Sequence, residues 1–137
     1  MEVAQVNKMY KTYDHMVFSC QYHVIFCPKY RRKVLVNGID IRMKELLKQR
    51  EDEYGYRVME MEVMPDHVHL LIDAEPQRNI TEIVNLIKGY TSHTLREEFP
   101  SLKKRLPTLW TRSKFISSVG AVTLEIVNKY IEDQKNV

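Results

Sequence analysis

Alternation and clustering of apolar side chains predict four β-strands in this chain. These stretches span residues 16–27, 56–64, 67–73 and 109–119. Pro28 ends the first stretch and Gly120 follows the last. Pro65-Asp66 separates the second stretch from the third, so we expect these two strands to pair as a hairpin.

Three other stretches carry apolar side chains at helical spacing. The first spans residues 39–54 and stops at Gly55, a residue typical of helix ends. The second follows Asn79, whose side chain can cap it, and closes at Phe99-Pro100. The third spans residues 121–134 and has a clear apolar stripe. That stripe comprises Ile126, Val127 and Ile131.

The resulting order is strand, helix, strand, strand, helix, strand, helix. Its first six elements indicate an α+β fold of the ferredoxin-like type, a four-stranded antiparallel sheet with two helices on one face. We expect the last helix to lie on the other face. A length of 137 residues suits one domain. We divide the chain into a loose N-terminal arm, residues 1–15, and a single domain, residues 16–137.

Composition agrees with a folded intracellular protein. Apolar residues make up 44% and charged residues 28%, which is ordinary for such proteins. No apolar run approaches the length of about 20 residues that spans a bilayer, so we expect a cytoplasmic protein without a membrane partner. Cys20 and Cys27 lie on opposite faces of the first predicted strand, so we expect no disulfide between them.

Positive charge is clustered although the net charge is only +3. Two basic runs stand out, one interleaved with Tyr30 and one in a predicted loop before Pro107. They indicate either a nucleic-acid surface or an ordinary solvated face. Tyr30 and Trp110 can stack on unpaired bases, although packing is the more ordinary role. The candidate DNA contacts are Lys29, Arg31, Arg32, Lys33, Lys103, Lys104 and Arg105.

The third predicted strand carries two histidines, His67 and His69, separated by one apolar residue. Side chains alternate along a strand, so both imidazoles lie on one face while Val68, Leu70 and Ile72 lie on the other. The histidine Cα atoms should be roughly 6–7 Å apart, close enough for both rings to bind one metal ion. Two surface or hydrogen-bonded histidines are the alternative.

The last predicted helix adds two polar candidates. Tyr130 and Gln134 are four residues apart, so they share one face of the helix. Gln134 offers a carbonyl oxygen as a third metal ligand, and Tyr130 offers a hydroxyl beside it. Packing for the tyrosine and solvation for the glutamine are the ordinary roles. A structural metal site would need a fourth ligand, but neither His23 nor Cys27 has convincing spacing.

Eight stretches match a known family. They are Tyr22-His23-Val24-Ile25-Phe26 with Lys29-Tyr30-Arg31-Arg32, Met64-Pro65-Asp66-His67-Val68-His69-Leu70-Leu71, Lys88-Gly89, Glu98-Phe99-Pro100, Leu109-Trp110, Val119-Gly120-Ala121-Val122 and Tyr130-Ile131-Glu132-Asp133-Gln134. On these stretches, which run from about Val17 to Gln134, the chain resembles the single-tyrosine HUH transposases of the smallest insertion sequences. The same superfamily contains the REP-associated tyrosine transposases.

This resemblance implies roles for the candidate residues. His67 and His69 match the metal-binding pair, Gln134 the third ligand and Tyr130 the nucleophile. The implied cofactor is a divalent metal, Mg²⁺ or Mn²⁺. The implied activity is cutting and rejoining single-stranded DNA beside a hairpin through a 5′-phosphotyrosine. The implied assembly is a homodimer, nucleoid-associated, in which the tyrosine helix of one subunit can complete the partner's site.

The sequence departs from the family pattern at two places, and two other functions are compatible with it. Lys114 stands where an aromatic residue is expected, and the N-terminal arm looks longer than usual. Gly120 can act as a hinge before the last helix. The same chemistry also suits a domesticated relative that acts on repeated genomic hairpins. A ferredoxin-like nucleic-acid-binding module without catalysis is the alternative from another functional class.

Overall fold

The structure is a computed structural model that describes residues 11–13, 16–18, 20–119 and 124–137; side chains are described from residue 20 onward. The strands are β1 (Lys11–Tyr13), β2 (Met16–Phe18), β3 (Gln21–Phe26), β4 (Tyr56–Met64), β5 (His67–Ala74) and β6 (Phe115–Ser118). The helices are α1 (Ile39–Gln49), α2 (Glu51–Tyr54), α3 (Ile80–Glu98), α4 (Ser101–Arg105) and α5 (Leu124–Asp133).

Four strands form one antiparallel sheet in the order β4-β5-β3-β6. The two inner strands are β5 and β3, and Ile25 lies opposite His69 between them. On its other side Ile25 lies opposite Phe115 of β6. The predicted four-stranded antiparallel sheet and the α+β class are therefore confirmed.

One face of the sheet packs against α1 and α3. Val68, Leu70 and Ile72 of β5 are fully buried there, among apolar side chains of both helices. Each such side chain stabilises the fold by about 1.5–3 kcal/mol when it leaves water. Because β5 alternates, this packing turns its odd-numbered residues toward the second face.

The second helix of the core, α3, begins and ends where the sequence predicts. The Asn79 side chain accepts hydrogen bonds from the backbone N–H groups of Thr81 and Glu82, at 2.8 and 3.3 Å. The helix ends at Glu98, before Pro100. Trp110 packs edge-on against Phe26 and donates its indole N–H to Thr91 Oγ1 at 3.0 Å, so packing is its role.

The predicted fourth strand, residues 109–119, is too long. Only Phe115–Ser118 pairs as a strand, and Trp110 makes a single bridge to Pro28. Lys88 Nζ donates to three successive carbonyls, those of Thr111, Arg112 and Ser113, at 2.7, 3.3 and 3.2 Å. Three carbonyls directed at one ammonium cannot take part in a regular strand ladder, so the chain stays irregular here.

Three other boundaries also differ from the sequence pattern. The predicted first strand, residues 16–27, is divided into β2 and β3. The predicted helix over residues 39–54 breaks at Arg50, whose φ and ψ of −105° and 9° are not helical. The basic stretch before Pro107 is the short helix α4 and not a loop, because buried Leu102 anchors one turn in the core.

The N-terminal region is described only in part. Lys11–Tyr13 pairs with Met16–Phe18, so three residues of the predicted arm take part in a two-stranded sheet. The rest of that arm lies outside the described residues. Gly120, the predicted hinge, and residues 121–123 of the predicted last helix also lie outside them. Among the helices that are described, none is long and apolar enough to cross a membrane.

Candidate active site

The second face of the sheet carries His67 and His69, each half-buried. Their neighbours across the strands are Met64 and Glu62 on β4 and Ile25 on β3. Both imidazoles therefore point away from the helical core. A pair of half-buried imidazoles on one strand face is an arrangement that can bind a metal ion.

The hydrogen bond between His67 and Asp66 fixes one nitrogen of the ring. His67 Nδ1 lies 2.9 Å from Asp66 Oδ1. A carboxylate only accepts hydrogen bonds, so Nδ1 is the donor, and in the neutral ring Nε2 then has the free lone pair. Glu62 Oε1 lies 3.7 Å from Nε2, too far for a good hydrogen bond. In that form His67 Nε2 has the geometry of the predicted metal ligand.

His69 contacts a third histidine that sequence reasoning treated as ordinary. His23 Nδ1 lies 3.2 Å from His69 Nε2, and one of these two nitrogens donates to the other. Burial, with a smaller contribution from His23, lowers the pKa of His69 and favours the neutral ring. A neutral imidazole is the form that binds metals, but a metal at Nε2 would displace His23.

A cavity of about 460 Å³ opens beside this histidine pair. Leu124, the first residue of α5, closes one side of it, so the cavity runs between the sheet and the start of that helix. Its lining combines imidazoles and carboxylates with apolar side chains: His23, Glu60, Met61, Glu62, His69, Leu71 and Leu124.

Tyr130 lies on α5 and packs against β6 of its own chain. Its ring centroid is 5.4 Å from that of Phe115, and its hydroxyl is 2.8 Å from Ser113 Oγ. Burial raises the pKa of Tyr130 to about 12, so the phenol is protonated at neutral pH. Sequence reasoning missed Ser113, because a lone serine in an irregular loop carries no pattern.

Gln134 follows α5 directly and is only 6% exposed. Its Oε1 is buried and has no hydrogen-bond partner among the described residues. A buried carbonyl oxygen without a partner costs about 1–3 kcal/mol, so a bound group that supplies one would stabilise it. This oxygen fits the predicted role of a metal ligand.

The donors predicted for a metal are two imidazoles and one amide. No group of three or more His, Cys, Asp or Glu side chains within the described ranges is placed to hold one. Burial raises the pKa of Cys27 to about 12, so its thiol stays protonated and is a poor ligand. Neutral nitrogen and oxygen donors suit Mn²⁺ and leave Mg²⁺ dependent on further oxygens from water or substrate.

The two basic runs lie in different layers of the fold. A cleft of about 690 Å³ at the end of α5 is lined by Tyr30, Arg31, Arg32, Lys33, Lys135 and Asn136. Tyr30 is 44% exposed, so it is not a packing residue. The second run, Lys103-Lys104-Arg105, is exposed on α4, which packs through Leu102 on the helical side of the sheet. Only the first run adjoins the helix that bears Tyr130.

Comparisons with known proteins agree on one family. Residues 16–134 match the family model described as "Transposase IS200 like". The ISDra2 transposase TnpA of Deinococcus radiodurans is 40% identical over 120 residues, 86% of each chain. The transposase for insertion sequence element IS200 of Salmonella typhimurium is 30% identical over 126 residues, 90% of this chain and 82% of that one.

Solved structures show the same fold. A crystal structure of a candidate transposase from Deinococcus radiodurans R1 superposes with a TM-score of 0.84 at 34% identity, covering 93% of this chain and 99% of the other. The REP-associated tyrosine transposase bound to a REP hairpin superposes with a TM-score of 0.57 at 11% identity, covering 89% and 68%. The second likeness shows the fold alone.

Proposed function

This chain belongs to the IS200-like transposase family, and we propose that it cuts and rejoins single-stranded DNA through a covalent bond between Tyr130 and a DNA 5′-phosphate. One observation carries the proposal. Tyr130 contacts Phe115, and Phe115 shares a sheet face with His69 because both lie opposite Ile25 in the two strand pairs. A phenol, two imidazoles and an unpartnered carbonyl oxygen then belong to one face of one domain.

The proposed metal ligands are His67, His69 and Gln134. The hydrogen bond from His67 to Asp66 and the unpartnered oxygen of Gln134 favour metal binding by these two side chains. The lowered pKa of His69 favours its neutral ring, and a metal at Nε2 would take the place of His23. A bound Mg²⁺ or Mn²⁺ would polarise the scissile phosphate and offset the charge that develops on it.

Tyr130 is the proposed nucleophile. Its Oη bonds to phosphorus while the bond from phosphorus to the 3′ oxygen breaks. The phenolic proton leaves through water, and the departing 3′ oxygen becomes a hydroxyl. One phosphodiester replaces another, so a 3′-OH can later attack the phosphotyrosine and restore Tyr130 without ATP. Ser113, at 2.8 Å, holds the hydroxyl before attack.

The proposed DNA contacts begin in the cleft beside α5. Arg32 and Lys33 line it together with Lys135 and exposed Tyr30, which can stack on an unpaired base. Lys29 precedes them, and Lys103, Lys104 and Arg105 on α4 would contact a more distant part of the strand. We propose a hairpin in single-stranded chromosomal DNA as the substrate. A homodimer that exchanges α5 between subunits would use the same residues.

Covalent capture tests this proposal. Single-stranded DNA from both flanks of the gene, labelled at its 3′ end, is incubated with the protein and Mn²⁺, Mg²⁺ or chelator. We expect label on the protein in denaturing gels with either metal and none with chelator. Tyr130→Phe should abolish the adduct, while Tyr90→Phe, which removes the hydroxyl that contacts Gln49, should retain it.

Two results would contradict the assignment. An adduct that survives Tyr130→Phe would exclude this tyrosine as the nucleophile. Binding of hairpin DNA that never yields an adduct, with or without metal, would favour a non-catalytic nucleic-acid-binding module. Cleavage of repeated genomic hairpins, but not of the sequences that flank the gene, would instead indicate a domesticated relative.

A further inference from the structure

We propose that Arg31 is a positioning residue that couples the docking of α5 to the orientation of His67. The inference rests on the proposed metal site. Arg31 belongs to one of the basic runs that sequence reasoning assigned to DNA. Its guanidinium, however, lies between the two halves of the site, with only 16% of the side chain exposed.

One side of the guanidinium holds Asp66. Arg31 Nε lies 3.3 Å from Asp66 Oδ2, while the other carboxylate oxygen, Oδ1, accepts from His67 Nδ1 at 2.9 Å. Both oxygens of one carboxylate are therefore engaged, which fixes its plane. A fixed carboxylate fixes the imidazole that donates to it, and with it the direction of Nε2.

The other side of the guanidinium holds α5. Arg31 Nη1 donates to Glu132 Oε2 at 3.0 Å and to the Ile131 carbonyl at 3.4 Å. Glu132 is 68% exposed, so its ion pair alone is a weak tether. The backbone of the same turn adds a second tether, since the Tyr30 N–H donates to the Val137 carbonyl at 2.8 Å. The last turn of α5 and the residues after it are thus held at two points.

The backbone of this turn is strained. Tyr30 and Arg31 have φ values of 59° and 50°, the left-handed region that side chains other than Gly and Asn disfavour. Two such residues in succession persist only where the surroundings demand them. Here the turn aims the Arg31 side chain at Asp66 and the Tyr30 N–H at Val137. Arginine suits this position because its planar fork donates in two directions, which the single ammonium of lysine does not.

Metal affinity and amide hydrogen exchange test the coupling together. We choose Arg31→Asn because asparagine tolerates left-handed backbone. Arg31→Asn should weaken Mn²⁺ binding, measured by electron paramagnetic resonance, about 10- to 100-fold. It should also speed exchange over residues 124–133. Arg32→Asn, the same change at an exposed neighbour, should alter neither measurement.

Repeating the substitution in a Gln134→Ala variant separates the two ways in which Arg31 could affect metal binding. One acts through Asp66 on His67, and the other acts through the docking of α5 on Gln134. Undocking of α5 would remove Gln134 from the site, so Arg31→Asn is repeated on Gln134→Ala protein. If the Asp66 route operates, Arg31→Asn still weakens Mn²⁺ binding there. Asp66→Asn should weaken binding to a similar extent while exchange in α5 stays slow, because Arg31 keeps Glu132 and the Ile131 carbonyl.

The possible failures are distinguishable. Equal Mn²⁺ affinity and equal exchange in Arg31→Asn and wild type would overturn this inference and leave the proposed function intact. A wild-type protein that binds no Mn²⁺ would overturn the metal site and this inference with it. If amide exchange in Arg31→Asn is faster in β3 and β5 as well as in α5, the substitution has disturbed the sheet itself, and Arg31→Lys is tested in its place. That variant keeps the charge without the fork and should still weaken binding; wild-type affinity in it would overturn the coupling.

Discussion

The two faces of the sheet differ in the polar groups that they contain and in the partners of those groups. On the helix-covered face, the few buried polar groups are used for packing, as when Trp110 donates to Thr91 and Tyr56 donates to the Leu47 carbonyl. On the histidine face, His69 meets another imidazole and the Gln134 oxygen has no partner among the described residues. Buried polar atoms without a partner among the described residues occur at Arg50 Nε and Thr111 Oγ1 as well as at Gln134 Oε1. The second face differs because it also presents half-buried imidazoles that a ligand could use.

Strand β5 contributes to both faces with alternate residues. Its even-numbered side chains stabilise the fold, and its odd-numbered ones carry the candidate chemistry. Effects on stability and on activity should therefore be separable along this strand, residue by residue. Proteins tend to accept locally unfavourable polar arrangements at functional sites and compensate for them elsewhere.

Replacing a proposed metal-binding histidine should have the largest effect on the rate of adduct formation and little effect on the free energy of unfolding. His67→Ala should slow covalent adduct formation about a thousandfold, since a metal supplies several kcal/mol of transition-state stabilisation. The free energy of unfolding should change by less than about 1 kcal/mol, because the ring is not part of the core. Adduct assays and urea denaturation measure both. His93→Ala on the exposed surface of α3 is the control and should leave both unchanged.

Two adjacent leucines offer the reverse test. Leu70 is fully buried against the helices, while Leu71 is half-buried and lines the histidine cavity. Leu70→Ala should lower the free energy of unfolding by about 2–5 kcal/mol, and Leu71→Ala by about 1 kcal/mol or less. Urea denaturation of the two variants compares the faces directly. Equal losses would mean that the histidine face is packed as tightly as the core.

The pH dependence of adduct formation should report the buried phenol. Folding raises the pKa of Tyr130 to about 12 from an ordinary value near 10. If the phenolate attacks, the single-turnover rate should rise about tenfold per pH unit from neutral pH toward that pKa. The sign for stability is opposite. The raised pKa favours folding below about pH 10, and that contribution is lost as the pH rises toward 12.

The variant Ser113→Ala tests the same pH profile of adduct formation. Its hydrogen bond acts against burial and lowers the pKa of Tyr130. Ser113→Ala should therefore raise that pKa further and slow adduct formation about tenfold at neutral pH, the effect of about one hydrogen bond. Ser117→Ala, in the strand β6 that follows the loop of Ser113, is the matched control. A Ser113→Ala profile identical to wild type would exclude contact between this hydroxyl and the nucleophile in the active state.

Alternation and helical spacing were sufficient to predict the sheet, both long helices and the face that carries His67 and His69. These features depend on local sequence and on burial, which periodicity reports directly. The predicted start of the fourth strand was wrong because it depends on Lys88, a side chain more than 20 residues away that binds the carbonyls of residues 111–113. No local pattern contains that contact.

The site shows the same limit. The pairs His67–His69 and Tyr130–Gln134 follow from spacing along one element, so sequence could propose them. The partners of these residues come from other elements: His23 for His69, Ser113 for Tyr130 and Arg31 for Asp66. Arg31 was grouped with its basic neighbours because composition cannot tell a buried guanidinium from an exposed one.

The smallest expected effect is on DNA affinity and concerns the edge of the histidine face, where the polar side chains are exposed and charged. Arg32→Gln and Lys33→Gln each remove one cation from the cleft beside α5. Each should weaken binding of single-stranded DNA a few-fold and reduce the slope of log affinity against log salt by about 0.7. Lys44→Gln, an equally exposed charge on α1, is the control. Because these cations lie at the surface, the difference should fade at high salt, whereas the defect of His67→Ala should persist there. An unchanged salt slope in both cleft variants would move the DNA path away from this cleft and toward the basic run on α4.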